Sequence, residues 1–504
     1  MLPDSIIPYP TADIHVLPLD EAFKAVFQAP ARQLIDQWPP AQVEYLRVYL
    51  KEIGCKTVVI EQHYIDRVFM HDDAVFYVRN LRSYPNFTKR LHFFAEQFDQ
   101  NEWKVMIAGA ANAGHAAVET RLQRNYCGFS VVRPLPDSPV GRTLLPAHPT
   151  RAPADNSSLF PTTRKHTAHL AGFRLTIDGV PFQQQDMGVS ACATTALWSA
   201  LDSVAAIEEI PGASPATITE AATRYPLQEG RPFPTEGLTV RQICEATRAA
   251  GFSPIVIRST NLADDRLQIF SYMRSGFSPV LGLISTKDGS LGHAVCGVGL
   301  RCGEVLPKTD PNFAFQDAAT ALRGLYIHDD RLGPYAFAEL SPFTDRRTGA
   351  IRTGVAIQWP DKIPDEEWLL HAIVIPVPQK LRLTITRIRR IGLLAAQAVG
   401  LALSEPQTTL ECRYDFARRY ITSAYTFGLS DQGMYALACQ TPLSRLVGVA
   451  EIARPGGPVI DVLLDTTEAN PEPAVLACVK RTALGNEDDL LRALARCFGA
   501  KPIL

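Results

Sequence analysis

A single hydrophobic core stops growing at about 250–300 residues, and this chain has 504. It must therefore divide, with about three domains expected from length, and its composition suggests where. Residues 134–163 are rich in Pro, Ser and Thr, a mixture that resists regular structure and reads as a linker or long surface loop. We expect an N-terminal section over 1–165 that ends in this linker, a central domain over 166–345 and a C-terminal domain over 346–504. The first section mixes helical patches (21–33, 41–53) with strand-like runs at 57–61 and 129–133. Its aromatic-rich stretch, with Phe69, Phe76, Tyr77, Tyr84 and Phe87, is expected to form core. The last section offers an apolar strand run at 372–377, a hydrophobic helix at 391–403 and an amphipathic helix at 488–497.

Charge and apolar patterning exclude several classes of partner. A formal net charge of -2 lacks the Lys and Arg excess of a phosphate-binding surface, so no nucleic-acid partner is expected. The apolar run at 391–403 is about two-thirds of a bilayer span and reads as a buried helix, so no membrane partner is expected. The first residues have neither a basic start nor an unbroken apolar segment, which argues against a secretory signal and for the cytoplasm. Ten cysteines are scattered without a CxxC pair or zinc-finger spacing. Most should be reduced and buried as small hydrophobes.

One cysteine differs in its context. The segment 183–198, QQQDMGVSACATTALW, sets Cys192 at the start of a strongly helical stretch, after a short polar loop containing Gly188. A thiol there meets unpaired N–H groups and the positive end of the helix dipole, both of which favour thiolate. Apolar residues at Ala196, Leu197, Ala200, Leu201 and Val204 repeat with the period of a buried-face helix. A second helix is expected over 240–250, with Thr239 as N-cap and Gly251 as stop. Strand signals follow at 279–285, 293–300 and 324–329, the first two joined by a turn at Asp288-Gly289. Gly292-His293 opens one strand after that turn, and Asp329 ends the next, beside Asp330. The combination of Cys at a helix start, His at a strand start and Asp at a strand end gives a nucleophile, its base and an acid to orient the base. His328-Asp329-Asp330 and His71-Asp72-Asp73 could suggest a metal, but adjacent strand residues point to opposite faces, so no metal is expected. No P-loop, dinucleotide fingerprint, HExxH or suitably placed GxSxG appears, and no cofactor is expected.

This motif set resembles the papain-like cysteine peptidases, and within them the double-glycine-peptidase-like branch of bacteria. In that branch a Gln precedes the Cys helix, a Gly-His opens a strand and the next strand ends in Asp. The stretch 237–252 and the Ser278-Pro279-Val280 strand entry are also similar, so the likeness covers about residues 175–340. It implies an α+β fold with a papain-like core, consisting of a helical lobe with the Cys helix and an antiparallel sheet carrying His and Asp. Two mixed α/β domains would flank that core. It implies Cys192, His293 and Asp329 as catalytic residues, with Gln185 or Gln184 as oxyanion donor beside the Cys192 N–H. The residue at the family's usual Gln spacing is Asp186, Ala193 replaces the glycine expected after the cysteine, and about two dozen residues separate the His and Asp strands.

The expected activity is thiol-dependent hydrolysis of a peptide or isopeptide bond in a protein substrate. The alternatives are acyl transfer or amidase chemistry by the same triad, or a degenerate scaffold for protein–protein contact. The flanks are expected to recognise a protein substrate or partner.

Overall fold

The computed structural model describes residues 14–28, 39–79, 84–110, 114–148, 157–186, 191–224, 237–287, 289, 291–305, 315–345, 349–358, 366–404, 407–467, 475–485 and 487–504. It is an α+β protein with three large sheets. Residues 187–190, Asp288 and Ser290 of the expected site loop and turn lie outside the described residues.

The first sheet is built from β1 (Ile14–Pro18), β2 (Thr57–Tyr64), β3 (Thr88–Phe94), β4 (Tyr126–Val132) and β5 (Val140–Leu144), antiparallel and in that order. Alternation along a strand sends neighbours to opposite faces. Val58 and Ile60 accordingly join a cluster with Leu46 and Tyr49 of the helix Ala41–Glu52. Val59 faces the other way, onto Trp103, Leu122 and the hairpin formed by β7 (Arg164–Leu170) and β8 (Phe173–Gly179). That hairpin turns on Ala171 and Gly172, both at positive φ, which matches the twist of a two-residue turn. The aromatic stretch is core in part, since Phe69 and Tyr77 are buried with Leu135 and Ala216.

The second sheet contains the short strand β6 (Ser157–Leu159), β9 (Ser253–Arg258), β10 (Val280–Ser285), β11 (Gly292–Cys302), β13 (Leu322–Asp329), β14 (Gly333–Thr344), β15 (Ile351–Ile357) and β16 (Glu366–Val377). Six of these close a ring in the order β10-β11-β13-β14-β15-β16, because β16 also pairs back to β10. The helix Cys192–Glu208 packs on this sheet with 13 of its residues buried, and Ala, Leu and Trp fill the contact. The third sheet takes the two-residue strand β12 (Gln316–Asp317), then β17 (Thr409–Phe416), β18 (Leu446–Arg454), β19 (Gly457–Asp465), β20 (Val475–Lys480) and β21 (Lys501–Ile503). One hydrophobic cluster runs without a break from Leu19 in the first section to Ala495 near the end.

Several expectations are redrawn. The Pro-rich stretch contributes β5 to the first sheet and β6 to the second, where β6 pairs with β11. The ring draws β15 and β16 from beyond residue 345, because the antiparallel partners of β14 and β10 lie there. The first helix ends at Val26, and residues 29–38 lie outside the described residues. The hydrophobic helix is longer than expected, Ile385–Ala402. It buries Ile388, Ala395 and Val399 and leaves Leu394 and Leu401 exposed. Among the described residues no helix is long and apolar enough to cross a membrane.

Candidate active site

Cys192 is the first residue of its helix, and the N-cap, Ala191, has no side chain with which to satisfy the first-turn N–H groups. The Thr194 N–H turns back to the Ala191 carbonyl at 2.9 Å, and the N–H groups of Cys192 and Ala193 precede the first possible i→i−4 bond. The thiol is half-buried. Seven of the other cysteines are buried, and burial raises the pKa of each of their thiols. Only Cys439 and Cys497 are more open to solvent.

Register brings the base to the acid. β11 and β13 pair with Cys296 opposite His328, so His293 and Asp329 stand on the same face one diagonal step apart, within side-chain reach. His293 Nε2 lies 3.0 Å from Asp329 Oδ1, and both residues are buried. The Cys192 thiol is near enough to the same imidazole to favour its protonated form. Nε2 is the ring nitrogen turned to Asp329. The structure thus joins His293 and Asp329 by a hydrogen bond and sets the Cys192 thiol beside them.

The electrostatics of this group are unusual. Burial works against a charge on His293, but the charge and hydrogen bond of Asp329, the nearby Cys192 thiol and the charge of Asp330 outweigh it. Its pKa rises from 6.5 to about 10. Asp329 is driven the other way: burial opposes its charge, but His293 and Arg331 hold it well below the usual carboxylate range. Asp330 is also buried, and burial together with the neighbouring Asp329 lifts it to about 7. Its Oδ2 hydrogen-bonds to nothing among the described residues.

Two residues that sequence reading did not single out complete the cluster. Arg331 places Nε 3.2 Å from His293 Nε2 and Nη2 3.4 Å from Asp329 Oδ2, and its backbone N–H donates to Asp329 Oδ1 at 3.0 Å. A protonated Nε2 cannot also accept, so the guanidinium bond that remains is the one to Asp329. Trp368 of β16 closes the group, its ring 5.6 Å from that of His293 and 5.2 Å from the Arg331 guanidinium carbon. Trp368 had no local signal, because its place depends on the pairing of Ser285 with Trp368 across the ring closure. His293, Asp329 and Asp330 hold donor atoms within 4.8 Å of one another. A cation drawn to that set would compete with Arg331, whose guanidinium already lies against His293 and Asp329.

The expected oxyanion donors separate clearly. Gln184 is buried and committed, since its Oε1 accepts from the Val140 N–H at 3.2 Å and its Nε2 donates to the Asp137 carbonyl at 3.3 Å. Asp186 is held by the buried Arg133 at 3.3 Å. Gln185, between them, is half-buried. Arg133 also donates to the carbonyls of Ser138 and Gln184, so the first section grips the strand of chain that leads to Cys192.

No family model matches this chain, and no curated protein matches it. Chemical arguments about the site therefore rest on its own geometry. A separate cavity of about 820 Å³, lined by Arg67, His71, Arg142, Trp198 and Asp202 among others, lies further along the Cys192 helix. Trp198 is six residues on, about 9 Å along the axis. Arg142 in that cavity is paired with Asp66 at 2.6 Å and Asp202 with His166 at 3.3 Å. Of the His71-Asp72-Asp73 run, where no metal is expected, Asp72 accepts from the Ala216 N–H at 3.0 Å, and His71 Nδ1 meets Ser214 Oγ at 2.6 Å. Both tie the first section to the helix Pro215–Ala222.

Proposed function

We propose that this chain is a papain-like, thiol-dependent hydrolase acting on a peptide or isopeptide bond, with Cys192 as nucleophile, His293 as base and Asp329 as the acid that orients it. The observation that supports this reading best is the buried His293–Asp329 hydrogen bond of 3.0 Å with the half-buried Cys192 thiol beside the imidazole. The sulfur adds to the substrate carbonyl carbon, and the resulting oxyanion takes hydrogen bonds from the Cys192 N–H and the Gln185 amide. His293 passes its proton to the leaving amine as the C–N bond breaks, which leaves a thioester on Cys192. Water then adds to the thioester with His293 taking its proton, and the acid product and the free thiol are released. An amine in place of that water gives acyl transfer at the same site. Asp329 keeps the ring oriented throughout. Ten free cysteines fit a reducing compartment, and we place the activity in the cytoplasm.

The test is competitive alkylation. The intact protein is treated with substoichiometric iodoacetamide at pH 6.5, and all ten cysteine peptides are quantified by mass spectrometry. Cys192 should react first, ahead of the more exposed Cys439 and Cys497, and His293→Ala should remove its advantage. Labelling of Cys192 no faster than those two would refute the reading.

A further inference from the structure

The acid of the site sits on a turn whose outer side is held by another part of the molecule. Asp329 ends β13 and Gly333 begins β14, and the residues between them carry Asp330 and Arg331 as well. Against this turn lies the helix Ala41–Glu52 from the first section. Gln42 Nε2 donates to the Asp330 backbone carbonyl at 3.1 Å. Tyr45 lays its ring directly over Gly333, where a Cβ would collide with three ring carbons. Gly333 has no positive φ to require glycine, so it is the approach of Tyr45 that excludes a side chain there. One turn further along the helix, Tyr49 stacks on Tyr335 with centroids 5.9 Å apart.

Tyr335 fixes the far end of the same turn. It holds a left-handed backbone, φ +56, which costs a non-glycine residue energy and persists only where the surroundings impose it. Its N–H donates to His328 Nδ1 at 3.2 Å, and its hydroxyl donates to the Leu145 carbonyl at 3.2 Å while accepting from the Val180 N–H at 3.1 Å. His328 Nε2 in turn meets the Val180 carbonyl at 3.0 Å. The two residues that flank the acid turn, His328 and Tyr335, are thus tied to the segment that leads out of the first sheet.

We infer that the helix Ala41–Glu52 is a working part of the active site, with Gln42 and Tyr45 as positioning residues that set where the Asp329 carboxylate meets His293. This rests on the proposed thiol chemistry and assigns to the first section a role other than substrate recognition. Neither residue touches the reacting atoms. They act through the turn, and since the His293–Asp329 bond has little tolerance in length, a shift of the turn weakens the hold on the imidazole. Displacements of about 1 Å at such distances cost up to about a hundredfold in rate.

The experiment measures the rate of iodoacetamide reaction at Cys192 in the full chain from pH 5 to 9, with Cys439 and Cys497 as internal controls. Gly333→Ala should drive the turn off the Tyr45 ring. It should lower the Cys192 rate about tenfold or more at neutral pH and change the shape of its pH profile, leaving the two controls unmoved. Adding Tyr45→Ala to Gly333→Ala makes room for the methyl and should recover most of the loss, a coupling expected only of residues in contact. Gln42→Ala, which keeps the helix intact, should lower the rate about threefold and serves if Gly333→Ala does not fold. A purely structural contact would lower the melting temperature and leave the profile of Cys192 as in the wild type. That result, or a double variant no faster than Gly333→Ala, would overturn the inference. Wild-type Cys192 reacting no faster than the controls would instead sink the thiol reading itself, and this inference with it.

Discussion

Replacing Asp329 with Asn keeps the shape of the side chain and removes its charge from an imidazole 3.0 Å away. The effect on His293 follows from the opposing forces on that ring. Burial pushes it toward neutrality, and the leading force in the other direction is Asp329, acting through both charge and hydrogen bond. Together these raise it from 6.5 to about 10, and at 1.36 kcal/mol per unit the difference is on the order of 5 kcal/mol. Asn still accepts a hydrogen bond, and the Cys192 thiol and Asp330 are then left to favour protonation, the two weakest of the four influences that do so. His293 in the variant should therefore titrate well below the wild-type value. The assay is an NMR titration of protein labelled in its 11 histidines, with the His293 signal identified by its loss in His293→Ala. Stability gives a second readout with a definite sign. A raised histidine contributes stability that is fully present below about 6.5 and is lost as pH climbs through about 10. The stability gap between wild type and Asp329→Asn should accordingly be widest near pH 6 and shrink toward pH 10. A His293 that still titrates near 10 in the variant, or a gap that does not change with pH, would refute the reasoning.

Two further substitutions probe the surroundings. Asp330 is lifted to about 7, so the native state holds a proton that the unfolded chain releases near pH 4, and stability falls as pH rises between those values. Asp330→Asn should thus raise the melting temperature at pH 8 and leave it unchanged near pH 4; an equal shift at both would refute the assignment. Arg133 is buried with Asp186, and Arg133→Met leaves that carboxylate without its cation. Breaking such a pair costs about 3–5 kcal/mol, and denaturant unfolding should detect a loss of that size.

Much of the site was legible because its parts are locally encoded. The Ala- and Leu-rich repeat after Cys192 specifies a buried helix, and the structure gives Cys192–Glu208. Thr239 caps its helix with Gln242 in a capping box, and Gly251 follows at positive φ. Gly292-His293 and Asp329 fall at strand ends as expected. What sequence could not supply is pairing at long range. Val140–Leu144 and Ser157–Leu159 are too short, and too close to prolines, to signal strands alone; partners in β4 and β11 make them so. Gln184 and Gln185 are alike in sequence, and only the contacts of Val140 and Asp137 with Gln184 tell them apart. Arg331 follows two acids in a turn, which gives no hint that its guanidinium folds back on His293.

The unbroken hydrophobic cluster from Leu19 to Ala495 bears on how such a chain is inherited. Modules joined by tethers can be shuffled, lost or borrowed one at a time, because each keeps its own interior. Here the three sheets share an interior, so removing one uncovers apolar surface on the next. A chain of this kind would be inherited most readily as one piece, because a change in one section's packing face is felt in the others across their common interior.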